Sequence, residues 1–344
     1  METIIISNTN NLQQAADILC RGGLVASPTE TVYGLCANAL NEEAVKNIYT
    51  AKGRPSDNPL IVHIANLDML QPLVKEISPI AETLIQKFWP GPMTLVFKAS
   101  ALIPSTTTGG LDTVAIRFPS DPTIQKLIQL SGLPLAAPSA NTSGKPSPTN
   151  FTRVYEDLNG KIDCIIKGGH SKFGVESTVI DTTGDVATIL RPGGITHEML
   201  VAALGDVAVD PAIGHPLNPG EKPKAPGMKY THYSPNATVI IVKGERLAVI
   251  DRINELVTLQ KQLGKKVGVM ATDETLSCFH ADTVISVGTE QNPLTIAAQL
   301  FEVLRQYDDA KIDIVYTLAF ETTGIGEAIM NRLEKSAGYH FIQV

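Results

Sequence analysis

Leu12, Ala15, Ala16, Ile18 and Leu19 recur at helical spacing behind Asn10-Asn11, and Gly22-Gly23 follows, so the pattern predicts a short amphipathic helix that stops there. Leu24 to Ser27 then reads as a buried strand. Asn41-Glu42-Glu43 has the residues of a capped, acidic helix start, and that helix is expected to run to Lys52-Gly53. Leu60 to Ala65 is a predicted strand, and Trp89-Pro90-Gly91-Pro92 a turn into the strand Met93 to Phe97. Further strands fit Thr113 to Phe118, Leu135 to Pro138, Ile162 to Ile166, Ser177 to Asp181 and Ala187 to Leu190. Neighbouring strands without a strict strand-helix repeat predict an α/β domain with a twisted mixed sheet over 1–205.

The pattern changes over 206–235. Pro211, Pro216, Pro219, Pro223, Pro226 and Pro235 crowd a stretch without apolar period, expected to be a linker or a functional lid. Over 236–344 the strand Thr238 to Val242, helix Arg246 to Leu263, strand Lys266 to Met270, helix Pro293 to Tyr307 and strand Ile312 to Leu318 alternate. That order predicts a small, mostly parallel α/β domain.

Composition narrows the class. A chain of 344 residues, 43% hydrophobic, has length for two cores and reads as soluble and globular. No apolar run reaches the ~20 residues of a membrane span, and the N-terminus lacks a signal-peptide pattern. The four cysteines form no Cys-x-x-Cys pair, which with the missing leader predicts reduced thiols and a cytoplasmic location. A net charge of −7 argues against a chain-wide coat for nucleic acid while permitting a local basic cleft.

Several chemistries lack their signatures. There is no Gly-x4-Gly-Lys-Ser/Thr loop, no zinc spacing and no Gly-x-Ser-x-Gly elbow, and Gly324-Ile325-Gly326 lacks a third fingerprint glycine. Three polar clusters remain. Ser27-Pro28-Thr29-Glu30-Thr31-Val32-Tyr33-Gly34-Leu35 follows a buried strand, where α/β folds place ligands, and it reads equally as a threonine-capped turn. Lys52-Gly53-Arg54 precedes Pro55-Ser56-Asp57-Asn58-Pro59. Its cations either answer a helix macrodipole or clamp a polyphosphate. His63 follows on a strand face, as a half-buried structural histidine or a ligand group. Pro138 to Ser147 is a Ser/Gly-rich loop, either a surface loop or a cradle for phosphates and their Mg²⁺. Arg117 and Arg191 each end an apolar run, as surface charges or as bidentate anion partners.

Taken together the clusters resemble the YrdC family, in its two-domain Sua5-type branch of threonylcarbamoyl-AMP synthases. Lys52-Gly53-Arg54 matches its Lys-x-Arg motif and Ser139-Ala140-Asn141 its Ser-x-Asn motif. Thr29 to Leu35, Phe88 to Thr94, Glu176 to Val179, Ala225 to Pro235 and Gly326 to Leu333 are similar to it as well, so the likeness spans nearly the whole chain. The resemblance implies a twisted mixed sheet with a concave active-site cleft, a covering linker and a Rossmann-like C-terminal domain. It implies that L-threonine, bicarbonate or CO₂, and ATP become threonylcarbamoyl-AMP and pyrophosphate. A separate threonylcarbamoyl-transferase machinery would then modify adenosine 37 of tRNAs reading codons that start with A. By the same resemblance Thr31, His63, Arg117, Ala137 and Ser177 would hold threonine. Lys52, Arg54, Asn58, Thr113, Ser139, Asn141, Ser147 and Arg191 would meet ATP, with Tyr230, His232 or Tyr233 closing over it. Lys52 and Arg54 would carry the catalytic charge. Mg²⁺ would be held through ATP phosphates with no metal-binding protein side chain. No membrane partner is implied, and a weak direct contact with tRNA stays open.

Two rival readings stand beside this one. RNA binding without catalysis rests on Lys52/Arg54 and Lys222/Lys224/Lys229, against an acidic net charge and a cleft richer in Thr, Ser and Asn than in stacking aromatics. A carbamoyltransferase of hydrogenase maturation shares the domain type but calls for zinc-finger cysteine pairs, which are missing here.

Overall fold

The computed structural model describes residues 2–7, 11–213 and 233–344. The chain divides into two compact units, Met1–Ser143 with Ser147–Tyr230, and Gly144–Pro146 with Thr231–Val344.

The first unit is built on strands β1 Ile4–Ile6, β2 Val25–Ser27, β3 Gly34–Asn38, β4 Ile61–His63, β5 Met93–Lys98 and β6 Thr113–Arg117. It continues with β7 Leu135–Ala136, β8 Cys164–Ile166, β9 Thr178–Asp181, β10 Ala187–Arg191 and β11 Val207–Val209. They form one sheet in the order β1-β8-β2-β3-β7-β4-β6-β5-β9-β10-β11. Pairing is mixed: β4 runs parallel to β6, while β7 is antiparallel to β3 and β4, and β5 to β6. The expected mixed sheet is therefore present. Buried aliphatics such as Leu35, Val62, Ile64, Leu95, Ile116 and Ala136 fill the main core, so β4 to β7 are fixed by packing from within.

Helices cover the sheet: α1 Leu12–Cys20, α2 Glu42–Lys52, α3 Pro79–Phe88, α4 Ser105–Thr108, α5 Pro122–Ser131, α6 Phe151–Leu158 and α7 His197–Leu204. The helix α2 matters most for the site. Asn41 accepts from the N–H groups of Glu43 and Ala44 at 3.0 and 3.1 Å, and Glu42 and Glu43 meet the positive end of the helix dipole. Gly53 ends it at φ 63°, left-handed backbone that a residue with a Cβ adopts at a cost. Lys52 is thereby left in the last turn, facing inward.

The predicted linker begins differently from expectation. Val207–Val209 is a strand, parallel to β10, because its backbone finds partners at Ala187 to Ile189 that no local pattern announces. Residues 214–232 lie outside the described residues.

In the second unit β12 Thr238–Lys243, β13 Val267–Ala271, β14 Thr283–Ser286, β15 Ile314–Leu318 and β16 Phe341–Gln343 make a sheet in the order β14-β13-β15-β12-β16. Every pair in it is parallel, with α8 Arg246–Gln262, α9 Pro293–Asp309 and α10 Gly326–Ser336 as crossovers. Among the described residues no helix is long and apolar enough to cross a membrane.

Candidate active site

The loop between β2 and β3 owes its shape to two threonines. Thr29 donates its hydroxyl to the Val32 carbonyl at 2.6 Å, and the Thr31 N–H donates back to Thr29 Oγ1 at 3.2 Å. Since the single Thr29 proton is engaged, the 3.0 Å contact between the two hydroxyls has Thr31 as donor. Thr31 Oγ1 in turn accepts from Arg117 Nη1 at 2.8 Å. That guanidinium pairs with Glu30 at 2.8 Å, and both side chains are almost fully buried. Burial alone would raise the Glu30 pKa. The Arg117 charge and the Ser120 N–H, 3.0 Å from Glu30 Oε1, hold it below the ordinary value instead.

His63 stands beside Arg117 because β4 and β6 pair in that register. Full burial, helped by the Arg117 charge, pushes its pKa down to about 3, so the ring is neutral at physiological pH. Its Nδ1 lies 3.2 Å from the Ile61 carbonyl, and the backbone of Leu135 also meets the ring. Ala137, on the next strand line, donates its N–H to the same Ile61 carbonyl at 2.9 Å.

Ser177 arrives from the other side. The β5–β6 pairing sets Thr94 opposite Arg117, and the Thr94 and Ser177 hydroxyls are 2.7 Å apart. Arg191 ends β10 and donates from Nε and Nη2 to the Ser177 carbonyl at 3.1 and 3.0 Å, and from Nη2 to Ser177 Oγ at 3.2 Å. The turn after it must press on this backbone. A Cβ on Gly193 would come 2.3 Å from the Thr178 nitrogen, so only glycine fits. Ser147 donates to Glu176 at 2.6 Å, one residue before Ser177.

Lys52 is not the exposed clamp cation that a helix terminus suggests. It is 2% exposed, and its Nζ donates to the carbonyls of Ser139 and Asn141 at 2.5 and 2.6 Å and to Asn141 Oδ1 at 3.3 Å. The Lys-x-Arg and Ser-x-Asn motifs thus meet through one ammonium. Arg54 donates to the Pro59 carbonyl at 3.1 Å, and the Asn58 side chain is buried. Thr113 opens β6 opposite Lys98 of β5.

Two groupings result. Thr31, His63, Arg117 and Ser177, joined through Thr94, gather at the C-terminal ends of β4 and β6, with Arg191 and Ser147 on the Ser177 side. Thr113 and Arg117 stand at opposite ends of β6, about 13 Å apart along the strand, and Arg54 and Asn58 precede β4. Lys52, Ser139 and Asn141 are tied to each other. Of the three linker candidates, Tyr230 and His232 lie outside the described residues. The ring of Tyr233 has a partner within the second unit, stacking on Phe301 at 4.9 Å. Sequence reasoning missed Glu30, Thr94 and Glu176. Each stands inside or beside a quoted motif, but nothing local shows that its side chain turns toward the others. Among the described residues no three His, Cys, Asp or Glu side chains cluster as a metal cage.

Comparison with known proteins identifies the family. The family model described as Telomere recombination (Sua5_yciO_yrdC) matches residues 17–193, and the one described as Threonylcarbamoyl-AMP synthase, C-terminal domain, matches 195–338. The threonylcarbamoyl-AMP synthase of Pyrococcus abyssi is 49% identical, with 99% of this chain and 100% of that protein covered. That of Bacillus subtilis is 48% identical, with 98% of this chain and 96% of that protein covered. A crystal structure of P. abyssi Sua5 complexed with L-threonine superposes with a TM-score of 0.94 at 48% identity, covering 99% of this chain and 100% of that one. On both domains and over its full length, the chain belongs to the threonylcarbamoyl-AMP synthase family.

Proposed function

We propose that this chain condenses L-threonine, bicarbonate or CO₂, and ATP into threonylcarbamoyl-AMP and pyrophosphate at the ends of β4 and β6. The observation that carries the reading is the buried polar set of Thr31, His63, Arg117 and Ser177, gathered on apolar strands with one guanidinium and a neutral imidazole. Such a set suits the carboxylate and hydroxyl of a small molecule better than a nucleic-acid backbone. The threonine amine attacks the carbon of CO₂, forming an N–C bond and releasing a proton. A carbamate oxygen then attacks the α-phosphorus, and the bond to pyrophosphate breaks. No covalent enzyme intermediate is needed, so the residues serve to position, neutralise and exclude water. Lys52 acts by holding the Ser139–Asn141 loop, and Arg54, Asn58, Thr113, Ser147 and Arg191 flank the nucleotide. ATP enters as its Mg²⁺ complex, whose ion is held by phosphates and water rather than by a protein cage. The product passes to a threonylcarbamoyl-transferase machinery acting on tRNA in the cytosol.

The test is direct. The protein is incubated with MgATP, bicarbonate and single amino acids, and the nucleotides are analysed by mass. Threonine alone should yield a carbamoylated adenylate and pyrophosphate. Threonine-independent release of pyrophosphate, or none with any amino acid, defeats the reading.

A further inference from the structure

The residues expected around threonine carry a charge imbalance. Arg117 is cationic, His63 is neutral, and Thr31, Ala137 and Ser177 are uncharged, so they could receive a carboxylate but offer no counter-charge to an α-ammonium. The carboxylate that restores the balance is Glu30. It is 7% exposed, lies next to Thr31 in sequence and pairs with Arg117.

Its two oxygens differ. Glu30 Oε1 accepts from the Ser120 N–H at 3.0 Å and forms an ion pair with Arg117 Nη2 at 2.8 Å, a contact without hydrogen-bond geometry that leaves Nη2 also without a hydrogen-bond acceptor among the described residues. Glu30 Oε2 is shut off from solvent and has no hydrogen-bond partner among the described residues. A buried carboxylate oxygen left unpaired is costly, and proteins retain such groups where something else completes them. Asp121, a nearby carboxylate whose pKa Glu30 helps raise, has its own task, accepting the Thr123 and Ile124 N–H groups at the start of α5. Thr31 Oγ1, having donated to Thr29 and accepted from Arg117, has one lone pair left, a second acceptor beside the first.

We infer that Glu30 is a substrate-binding residue: its Oε2 accepts an N–H of the amino acid's α-ammonium, making the pocket selective for α-amino over α-hydroxy acids. The inference rests on the threonine reading above. A guanidinium and a carboxylate side by side then form a neutral seat for a zwitterion, and the reacting nitrogen is held at a defined point.

The alternative is that Glu30 only orients Arg117. The two separate cleanly in calorimetric binding of L-threonine and of its α-hydroxy analogue, identical in carboxylate and side chain, to wild-type protein and to Glu30→Gln and Glu30→Asp. A charge-assisted hydrogen bond corresponds to about 10- to 100-fold in affinity, so wild type should prefer threonine over the analogue by that factor. Glu30→Gln should weaken threonine by about the same factor, leave the analogue within about 3-fold, and erase the preference. Glu30→Asp should retain part of it. Equal weakening of both ligands in Glu30→Gln overturns the inference and leaves Glu30 as a support for Arg117. A wild-type preference near one overturns it without any variant. If wild type fails to bind threonine at all, the functional reading fails with it.

Discussion

Replacing Lys52 by Met tests whether its ammonium builds the site or only serves the ligand. The substitution keeps the apolar stem and removes the donor that the Ser139 carbonyl, the Asn141 carbonyl and Asn141 Oδ1 share. Hydrogen bonds to a charged donor contribute roughly 1.5–3 kcal/mol each, but the three are not additive and water can recover part. A net loss of about 3 kcal/mol is expected, against less than about 0.5 kcal/mol for an exposed surface cation. For a unit of this size that lowers Tm by about 6–12 °C. The chain's single tryptophan is Trp89, in the first unit and bonded to the Met93 carbonyl, so its fluorescence follows the melting of that unit alone. With the loop released, Ser139 and Asn141 lose their placement, and kcat/KM for ATP should fall by on the order of 100-fold. A variant that melts within about 2 °C of wild type while activity collapses would falsify the anchoring role and return Lys52 to the role of a ligand cation.

His63 should shape the acid limb of stability. Its folded pKa of about 3 lies below the ordinary 6.5, so its contribution is complete above pH 6.5 and is lost as pH falls toward 3. Replacing His63 by Gln should flatten the slope of unfolding free energy against pH in that window by up to about 1.4 kcal/mol per pH unit; an unchanged slope refutes the buried neutral ring. Arg191→Ala leaves the buried Ser177 carbonyl without both its guanidinium donors, and should cost about 2–3 kcal/mol of stability along with activity. Full activity with an unshifted melt would show that Ser177 is held otherwise. Among amino acids, 2-aminobutyrate should be a far worse substrate than serine. Losing a methyl costs roughly 1–3 kcal/mol, whereas a missing hydroxyl leaves unpaired the pocket groups that would bond it. Equal turnover of threonine and 2-aminobutyrate, measured by pyrophosphate release, argues against a hydroxyl-reading pocket.

The helix α2 was legible residue by residue: Asn41 as cap, two acids in the first turn, glycine at the end. So was the alternation of strand and helix in the second unit, since crossover helices and buried parallel strands carry strong local periods. The helix α5 was missed although Asp121-Pro122 announces it, for Asp121 does cap the first turn. By its local sequence β3 is the tail of a polar loop. Only its pairing with Val25 to Ser27 on one side and Leu135-Ala136 on the other makes Gly34–Asn38 a strand. Likewise β1 is three isoleucines until Cys164 to Ile166 lie beside them.

The candidate site divides the same way. Residue types and their seats at strand ends could be named from sequence, because polar residues interrupting apolar runs are conspicuous in one dimension. Which of them share a place could not. Register sets His63 against Arg117 and Thr94 against Arg117, and each pairing joins segments dozens of residues apart. The same is true of burial. Lys52 at a helix end looks like a solvated charge until the Ser139–Asn141 loop closes on it, and Glu30 looks like a turn residue until Arg117 arrives from β6. Local propensity acts within a few residues, whereas charge pairing and desolvation depend on neighbours in space, and only the packed sheet determines those.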